Sequence, residues 1–271
     1  MPIAFEIIVI LKVGNAQPTF ILRYGIIRTV ISIAAMPISD YQSALRNQAY
    51  AFAHAGEMLP ALQAHGNLTD WDAFAESWND LGLDMYMADQ GRYRRRRHAV
   101  FLATAINIER LSHRAHFQTL DYNALNGGIE RWFEPIKDEQ AESHSLKTIL
   151  SFCHALFSGL AEDVKQWLVE VHQFRIEAVA GTPGLPTPEG MHRDGVDYVL
   201  VLLIKRQNIA SGTTMIGSLD GSLSSSFTLI EAFDAALVDD ARVYHGVTAV
   251  EPLIADLPAY RDVLVVTFRK A

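Results

Sequence analysis

The chain changes its hydrophobic period part-way along, and this limits the fold more than any other feature. From Ser39 to about residue 170, apolar residues recur at helical spacings of three and four. From residue 171 they come in short runs rich in Val, Ile and Thr. Ser39 is placed to cap a first helix carrying Tyr41, Leu45, Ala49 and Phe52 on one face. Asp70 is placed to cap a second, with Trp71, Phe74, Trp78 and Leu81 as a core stripe. Residues 145–160 read as a longer buried helix that stops near Gly159. Residues 174–179 then alternate with period two, and 181–188 hold too much Gly and Pro for a helix or a central strand. Residues 198–204, 213–217, 227–230, 241–245 and 262–268 read as strands. Helices followed by strands predict an α+β chain with the helices packed on one side of a sheet or barrel. The expected organisation is a single domain over 36–271, helical over 36–170 and mostly strand over 171–271.

Residues 1–35 form an apolar N-terminal extension. Its two apolar runs are each shorter than the roughly 20 residues of a membrane helix, and its first charge is Glu6 rather than the positive start of a secretory signal. A β-hairpin is one reading. We expect instead that Met36 is the natural start, because clean helix signals begin only at Ser39; mass spectrometry of the native N-terminus tests this. A hydrophobic content of 49% excludes wholesale disorder, and a net charge of −8 argues against a globally basic nucleic-acid binder. The single cysteine, Cys153, sits in an apolar run and reads as a buried small hydrophobe. One cysteine also excludes an internal disulfide or a Cys-rich zinc site and fits a reducing, cytoplasmic setting.

The residues that carry chemistry lie in the strand half. His192 and Asp194 flank Arg193 directly after the Gly/Pro loop, and residues i and i+2 of an extended segment share a side. They can reach one metal together, and His245, at the end of a predicted strand, is the candidate third ligand. Two imidazoles and one carboxylate leave an ion half open, the arrangement of non-haem Fe(II) oxygenases. The same ligands plus water would also suit a zinc hydrolase or isomerase. Arg261 opens the last predicted strand and can grip the far carboxylate of an α-keto acid, if that strand neighbours the one carrying His245. Arg269 shares its parity and is a rival.

Residues 92–97 hold five arginines in six positions. Such a run is a solvated face, a nucleic-acid patch or, if it edges a barrel mouth as a strand, two sets facing opposite ways: Arg94 with Arg96, and Arg95 with Arg97. Asp239 and Asp240 are adjacent and cannot easily share a substrate; one reads as a loop residue and the other as a partner to an arginine. His113 and His116 have helical metal-pair spacing but no evident third ligand, so an ordinary surface or core role is expected.

The segments Pro188-Glu189-Gly190-Met191-His192-Arg193-Asp194-Gly195, Arg206-Gln207-Asn208-Ile209, Asp239-Asp240-Ala241-Arg242-Val243-Tyr244-His245-Gly246-Val247 and Tyr260-Arg261-Asp262-Val263-Leu264 resemble the bacterial 2-oxoglutarate/Fe(II) dioxygenases typified by L-isoleucine 4-hydroxylase. Upstream, residues 93–97, 122–128 and 131–136 resemble them too. The resemblance implies a double-stranded β-helix (jelly-roll, cupin-like) core. It implies Fe(II) on His192, Asp194 and His245, 2-oxoglutarate on Arg261, and O₂ as oxidant. The implied reaction hydroxylates an unactivated C–H, or oxidises a thioether, of a free aliphatic L-amino acid and releases succinate and CO₂. It makes a nucleic-acid or membrane partner unexpected. By the same analogy an arginine among Arg94, Arg95 and Arg96 contacts substrate, with Asn123 and Arg131 as further candidates. One departure is visible: Ala210-Ser211-Gly212 stands where a Gly-Gly pair is expected.

Overall fold

The structure, a computed structural model, describes residues 36–271 apart from 124 and 126. The apolar segment over 1–35, with the readings made of it, lies outside the described residues. Helices α1 (Ile38–Gln48), α2 (Ala55–Gln63), α3 (Trp71–Glu76), α4 (Asp138–Ala141) and α5 (His144–Ser158) all fall in the first part of the chain. The strands are β1 (Tyr50–Ala53), β2 (Arg94–Thr104), β3 (Ile108–Arg110), β4 (Gln166–Ala178), β5 (Tyr198–Gln207) and β6 (Ile209–Ser211), followed by β7 (Thr213–Ser218), β8 (Leu223–Thr228), β9 (Ala235–Asp239), β10 (Val243–Val247), β11 (Val250–Pro252) and β12 (Ala259–Lys270).

Seven strands form one antiparallel sheet in the order β1-β9-β5-β12-β4-β2-β3. A three-stranded sheet, β10-β7-β8, packs against its inner face, and β11 pairs with β6. Phe227 of β8 stacks on Phe52 of β1 at 4.7 Å, and Val199 of β5 packs with Ile216 of β7 and Val243 of β10. This is the jelly-roll expected, with helices on the outer face of the large sheet. The parity of each central strand assigns its sides. Leu264, Val266 and Phe268 of β12 and Leu200, Leu202 and Ile204 of β5 join the helix residues Leu45, Met58, Leu62, Phe152 and Leu156 in the main core. The alternate residues, Val263 and Val265 of β12 and Val201 of β5, face the small sheet. Because both faces are covered, these strands read as continuous apolar runs rather than alternating ones.

Several local expectations change. The region 36–170 is not all helix: it contains β1, β2, β3 and the start of β4. The arginine run is strand β2, paired with β4 along its whole length from Arg94↔Ile176 to Thr104↔Gln166. Arg has no marked β preference, so tertiary pairing decides its state. β9 escaped notice because Ala235 and Ala236 are weak strand formers. Ser39 lies inside α1, whose N-cap is Pro37, and Ala49 ends that helix in the left-handed conformation while Phe52 belongs to β1. Asp70 precedes α3 but does not cap it with its side chain. Its carboxylate instead accepts from the backbone of His144 (2.6 Å) and Ser145 (2.9 Å) at the start of α5. Phe74 and Trp78 are buried, as the stripe predicts, and Trp71 stacks on Phe233 at 4.0 Å. Cys153 is wholly buried in α5, where burial pushes its thiol pKa up.

Candidate active site

A cavity of about 150 Å³ opens between the two sheets. His192, Asp194 and His245 stand on one wall, and Arg261 on another. The backbones of His192 and His245 exchange two hydrogen bonds of 2.9 Å each, an isolated antiparallel bridge. Directly paired residues put their side chains on the same face, so the bridge sets the two rings side by side, with centroids 4.6 Å apart. Asp194 then follows by its period-two relation to His192. Its Oδ1 lies 3.6 Å from His192 Nε2 and its Oδ2 3.4 Å from His245 Nε2. Ligand atoms about 2.1 Å from one ion at right angles are about 3 Å apart, so small rotations complete a facial triad. His192 Nδ1 is 3.0 Å from the carbonyl of Gly190, which accepts its proton and leaves Nε2 as the nitrogen that would ligate an ion. Burial lowers the pKa of His192, but the bond and charge of Asp194 and the charge of Glu189 outweigh it and raise the imidazole to about 9.

Asp240 organises this wall. It is 1% exposed and accepts from three consecutive backbone N–H groups, those of Asp194 (2.9 Å), Gly195 (2.8 Å) and Val196 (3.1 Å). Gly195 has φ +77, and a Cβ there would lie 2.6 Å from the ring of Tyr122. The turn after Asp194 therefore needs glycine both for its dihedral and for space. Asp239 is the residue that faces an arginine, Arg242, at 3.6 Å. The pair thus divides as expected, though the loop role reaches directly to the turn that carries Asp194.

Arg261 is not on a strand neighbouring His245. It lies on β12 of the large sheet, whereas His245 lies on β10 of the small one, and the cavity separates them. Its Nε and Nη2 are buried without a partner. Burial, and then the nearby Arg206, lower its pKa to about 10. An unpaired buried guanidinium is costly unless an anion completes it, so this end of the cavity fits a carboxylate. Arg269 also lines the cavity but is exposed near the chain end. At the departure from Gly-Gly, Ser211 takes the left-handed conformation (φ 59) without being glycine, and its carbonyl accepts from Arg206 at 2.6 Å.

The parity of β2 decides the arginine run. Arg94 and Arg96 face the cavity and are buried. Arg95 and Arg97 face away, Arg95 paired with Glu177 at 2.8 Å and Arg97 with Asp80 and Glu134. Arg95 therefore does not join the site, and the four arginines of β2 are each engaged with an acidic or aromatic group. Arg94 is committed to buried Asp84 at 2.7 Å. Arg96 is sandwiched between Phe133 (3.5 Å) and Phe174 (4.4 Å) and bonds His172 Nδ1 at 2.7 Å. Arg131 is 1% exposed; its Nη2 donates to Gln118 Oε1 at 2.8 Å, and its Nε has no partner. Asn123 is buried on the same wall.

His113 and His116 do not form a pair. His113 packs edge-on against Trp132, while buried His116 joins His98, Glu170 and His172. Glu170 Oε2 accepts from His116 Nδ1 (2.5 Å) and His98 Nε2 (2.9 Å). Burial holds His98 neutral, with a pKa of about 4, although Glu170 opposes it. These four residues have ligand chemistry, but the His98 and His172 rings stack 4.7 Å apart at 21°. A metal must lie near the plane of each imidazole it binds, so nearly parallel stacked rings cannot share one ion. His116, Glu170 and His172 line the cavity, with His98 bonded to Glu170 behind them. Sequence reasoning gives no role in the site to Gln118, Glu170 or Glu189, and gives Asp240 a loop role without its bonds to the Asp194 turn. None carries a periodic signal, and only Glu189 and Asp240 fall in segments already singled out.

A jelly-roll with a His-x-Asp…His triad at its open end and an unpaired arginine across the cavity defines the class of 2-oxoglutarate-dependent non-haem iron oxygenases. Residues 75–267 match the family described as 2OG-Fe dioxygenase, and the chain belongs to that family. It is similar to L-isoleucine-4-hydroxylase of Bacillus thuringiensis, 28% identical over 158 residues, covering 56% of this chain and 64% of the relative. It is also similar to 3(1)-hydroxy-L-isoleucine 4-dioxygenase of Pantoea ananatis (strain AJ13355), 27% identical over 156 residues and covering 56% of this chain and 63% of that one. The chain thus spans less than two thirds of the length of these curated relatives. The crystal structure of a bsmA homologue from Methylobium petroleophilum PM1 superposes with a TM-score of 0.81 at 36% identity, over 88% of this chain and 95% of that chain. Among the described residues no helix is long and apolar enough to cross a membrane.

Proposed function

We propose that this protein is a 2-oxoglutarate- and Fe(II)-dependent dioxygenase that oxidises a small carboxylate-bearing substrate, a free aliphatic L-amino acid, at an unactivated C–H or a thioether sulfur. The observation that carries the reading is the buried guanidinium of Arg261, with Nε and Nη2 unpartnered, across one cavity from the triad; Arg96 and Arg131, buried on the same cavity, each leave an Nε unpartnered as well. One anion would complete Arg261 and a second the side of the cavity that carries Arg96 and Arg131, and this chemistry uses two carboxylate-bearing molecules: the co-substrate and the substrate. The names of the similar isoleucine hydroxylases point to the same substrate class.

His192, Asp194 and His245 would hold the iron. When bound, iron with 2-oxoglutarate and O₂ supplies the oxidising power, releasing succinate and CO₂ as the substrate gains one oxygen atom. Arg261 takes the far carboxylate of 2-oxoglutarate and so orients its keto-acid end toward the triad. Arg131 takes the substrate carboxylate, with Asn123 beside it, and fixes the distance from that anchor to the carbon attacked. Arg94, paired with Asp84, and Arg96, held between Phe133 and Phe174, form the wall beside Arg131. The valines of β5 and β12, Val199, Val201, Val263 and Val265, line the cavity and exclude water from the reacting centre.

The test is a screen of free L-amino acids, with N-acylated and peptide-bound versions alongside, for succinate release with iron, ascorbate and 2-oxoglutarate. Release with a free aliphatic amino acid is the expected result. Release only with the N-acylated or peptide-bound forms would overturn the substrate assignment.

A further inference from the structure

Gln118 spans the gap between the two ends of the cavity. Its Oε1 accepts from Arg131 Nη2 at 2.8 Å and from Asn123 Nδ2 at 3.3 Å. Its Nε2 donates to the carbonyl of Asp194 at 3.1 Å and reaches Asp194 Oδ1 at 3.4 Å. The orientation of this amide is not ambiguous. Turned over, it would aim N–H at a guanidinium that can only donate and oxygen at a carboxylate that can only accept. A cation at one end and an anion at the other therefore lock it.

Two consequences follow from this placement. The planar amide is one rigid group, so a shift of Arg131 toward a new anion moves the N–H that touches Asp194. The amide also stands between a buried guanidinium and a half-buried carboxylate that would otherwise attract each other, keeping Asp194 for the ion and Arg131 for substrate. The loop that carries Gln118 is built to hold it: Gly128 N donates to the carbonyl of Gln118 at 2.8 Å, and Gly127 N to that of Asn123 at 2.8 Å. A Cβ at Gly127 would lie 2.4 Å from the Asn123 carbonyl oxygen, so this turn closes tightly around the residue.

We propose that Gln118 is a positioning residue that couples Arg131 to the iron ligand Asp194, so that the state of the carboxylate receptor is felt at the metal. The consequence for turnover rests on Arg131 being that receptor; the coupling itself does not. Partners that orient a metal ligand from behind typically change metal affinity by about ten- to a hundred-fold when removed.

The experiment is a double-mutant cycle on the full chain, read by calorimetric titration with Co(II) and no substrate present. It compares wild type, Gln118→Met, Arg131→Met and the double variant, with Gln118→Asn as a second probe too short to touch both ends. We expect Gln118→Met and Gln118→Asn to weaken Co(II) binding about ten-fold or more. We also expect the effect of Arg131→Met to differ at least about three-fold between the wild-type background and the Gln118→Met background, the mark of coupled sites. Single effects that multiply within error, or Co(II) affinity unchanged in both folded Gln118 variants, would overturn the proposal. A role in loop packing alone would lower the melting temperature without producing the coupling. The KM of Arg131→Met for amino acids tests the receptor assignment separately, so either idea can fail while the other stands.

Discussion

Replacing Asp240 removes a group that never touches substrate, yet it should disturb both stability and metal binding. The carboxylate satisfies three backbone N–H groups in a row, from Asp194 to Val196, and is itself almost fully buried. Hydrogen bonds to a charged acceptor contribute about 1.5–3 kcal/mol each, so a simple sum for three is about 4–9 kcal/mol. Two effects reduce it. Burial, then the charge of Asp194, raises the pKa of Asp240, so removing the carboxylate also relieves a desolvation cost. The donors lie on a half-buried turn that water can enter once the side chain is gone. We therefore expect Asp240→Ala to cost about 3–4 kcal/mol, a large share of the roughly 5–15 kcal/mol of a whole domain. Asp240→Asn retains an acceptor on one side but turns its NH₂ against another donor, and should cost about 2 kcal/mol. Urea unfolding of the metal-free protein measures both. Co(II) titration should show affinity down about ten- to a hundred-fold in the alanine variant. A loss under about 1 kcal/mol with unchanged Co(II) affinity would refute the reasoning.

Other outcomes follow from the same geometry. His192→Ala or Asp194→Ala should abolish substrate-dependent succinate formation, and unchanged turnover in both would remove the triad. Arg261→Ala should raise the 2-oxoglutarate concentration needed for half-maximal rate by at least about ten-fold, since a buried charge-paired contact is worth more than about 1.4 kcal/mol; an unaltered requirement would move the co-substrate anchor to another residue. Arg131→Met should raise the KM for substrate, whereas Arg95→Met, which breaks the half-exposed pair with Glu177 and a long bond to the Leu81 carbonyl, should change stability by about 1 kcal/mol or less and leave KM alone. Equal kinetic effects at the two positions would contradict the strand parity. Asp70 bears on pH. Burial raises its pKa, but the Ser145 hydroxyl and the N–H groups that start α5 together prevail and lower it. A depressed carboxylate stabilises the fold above its unfolded pKa of about 3.9 and ceases to as pH falls through the lower folded value. Asp70→Asn should therefore be less stable than wild type at pH 7, with the gap closing below about pH 4; a gap independent of pH would show that charge plays no part.

How much was legible in advance depended on how local the signal was. The triad could be read because His192 and Asp194 share a side by period two, and because imidazole and carboxylate are the ligands Fe(II) accepts. The arginine run could be split into two parities for the same reason. Its spacing marks Asp70 as a cap, but the helix it serves begins at His144, and no spacing rule reaches that far. The neighbouring-strand route to Arg261 failed because a jelly-roll brings residues together across facing sheets as well as along one. Strand β9 was missed because its alanines gain their state from β1 and β5 on either side.

The order of residues fixes the chemistry on offer: which ligand types exist, which pairs share a side, and that helices precede a strand-rich core. Only the tertiary structure decided which parity of β2 faces the cavity, that the backbone bridge between His192 and His245 sets their rings side by side, and that Gln118 and Asp240 stand behind Asp194. The physical reason is that periodicity is a property of neighbours along the chain. A buried charge, by contrast, is satisfied by whatever polar group the fold delivers, from any distance in sequence, and a glutamine or aspartate in a loop gives no sign beforehand of which charge it will meet.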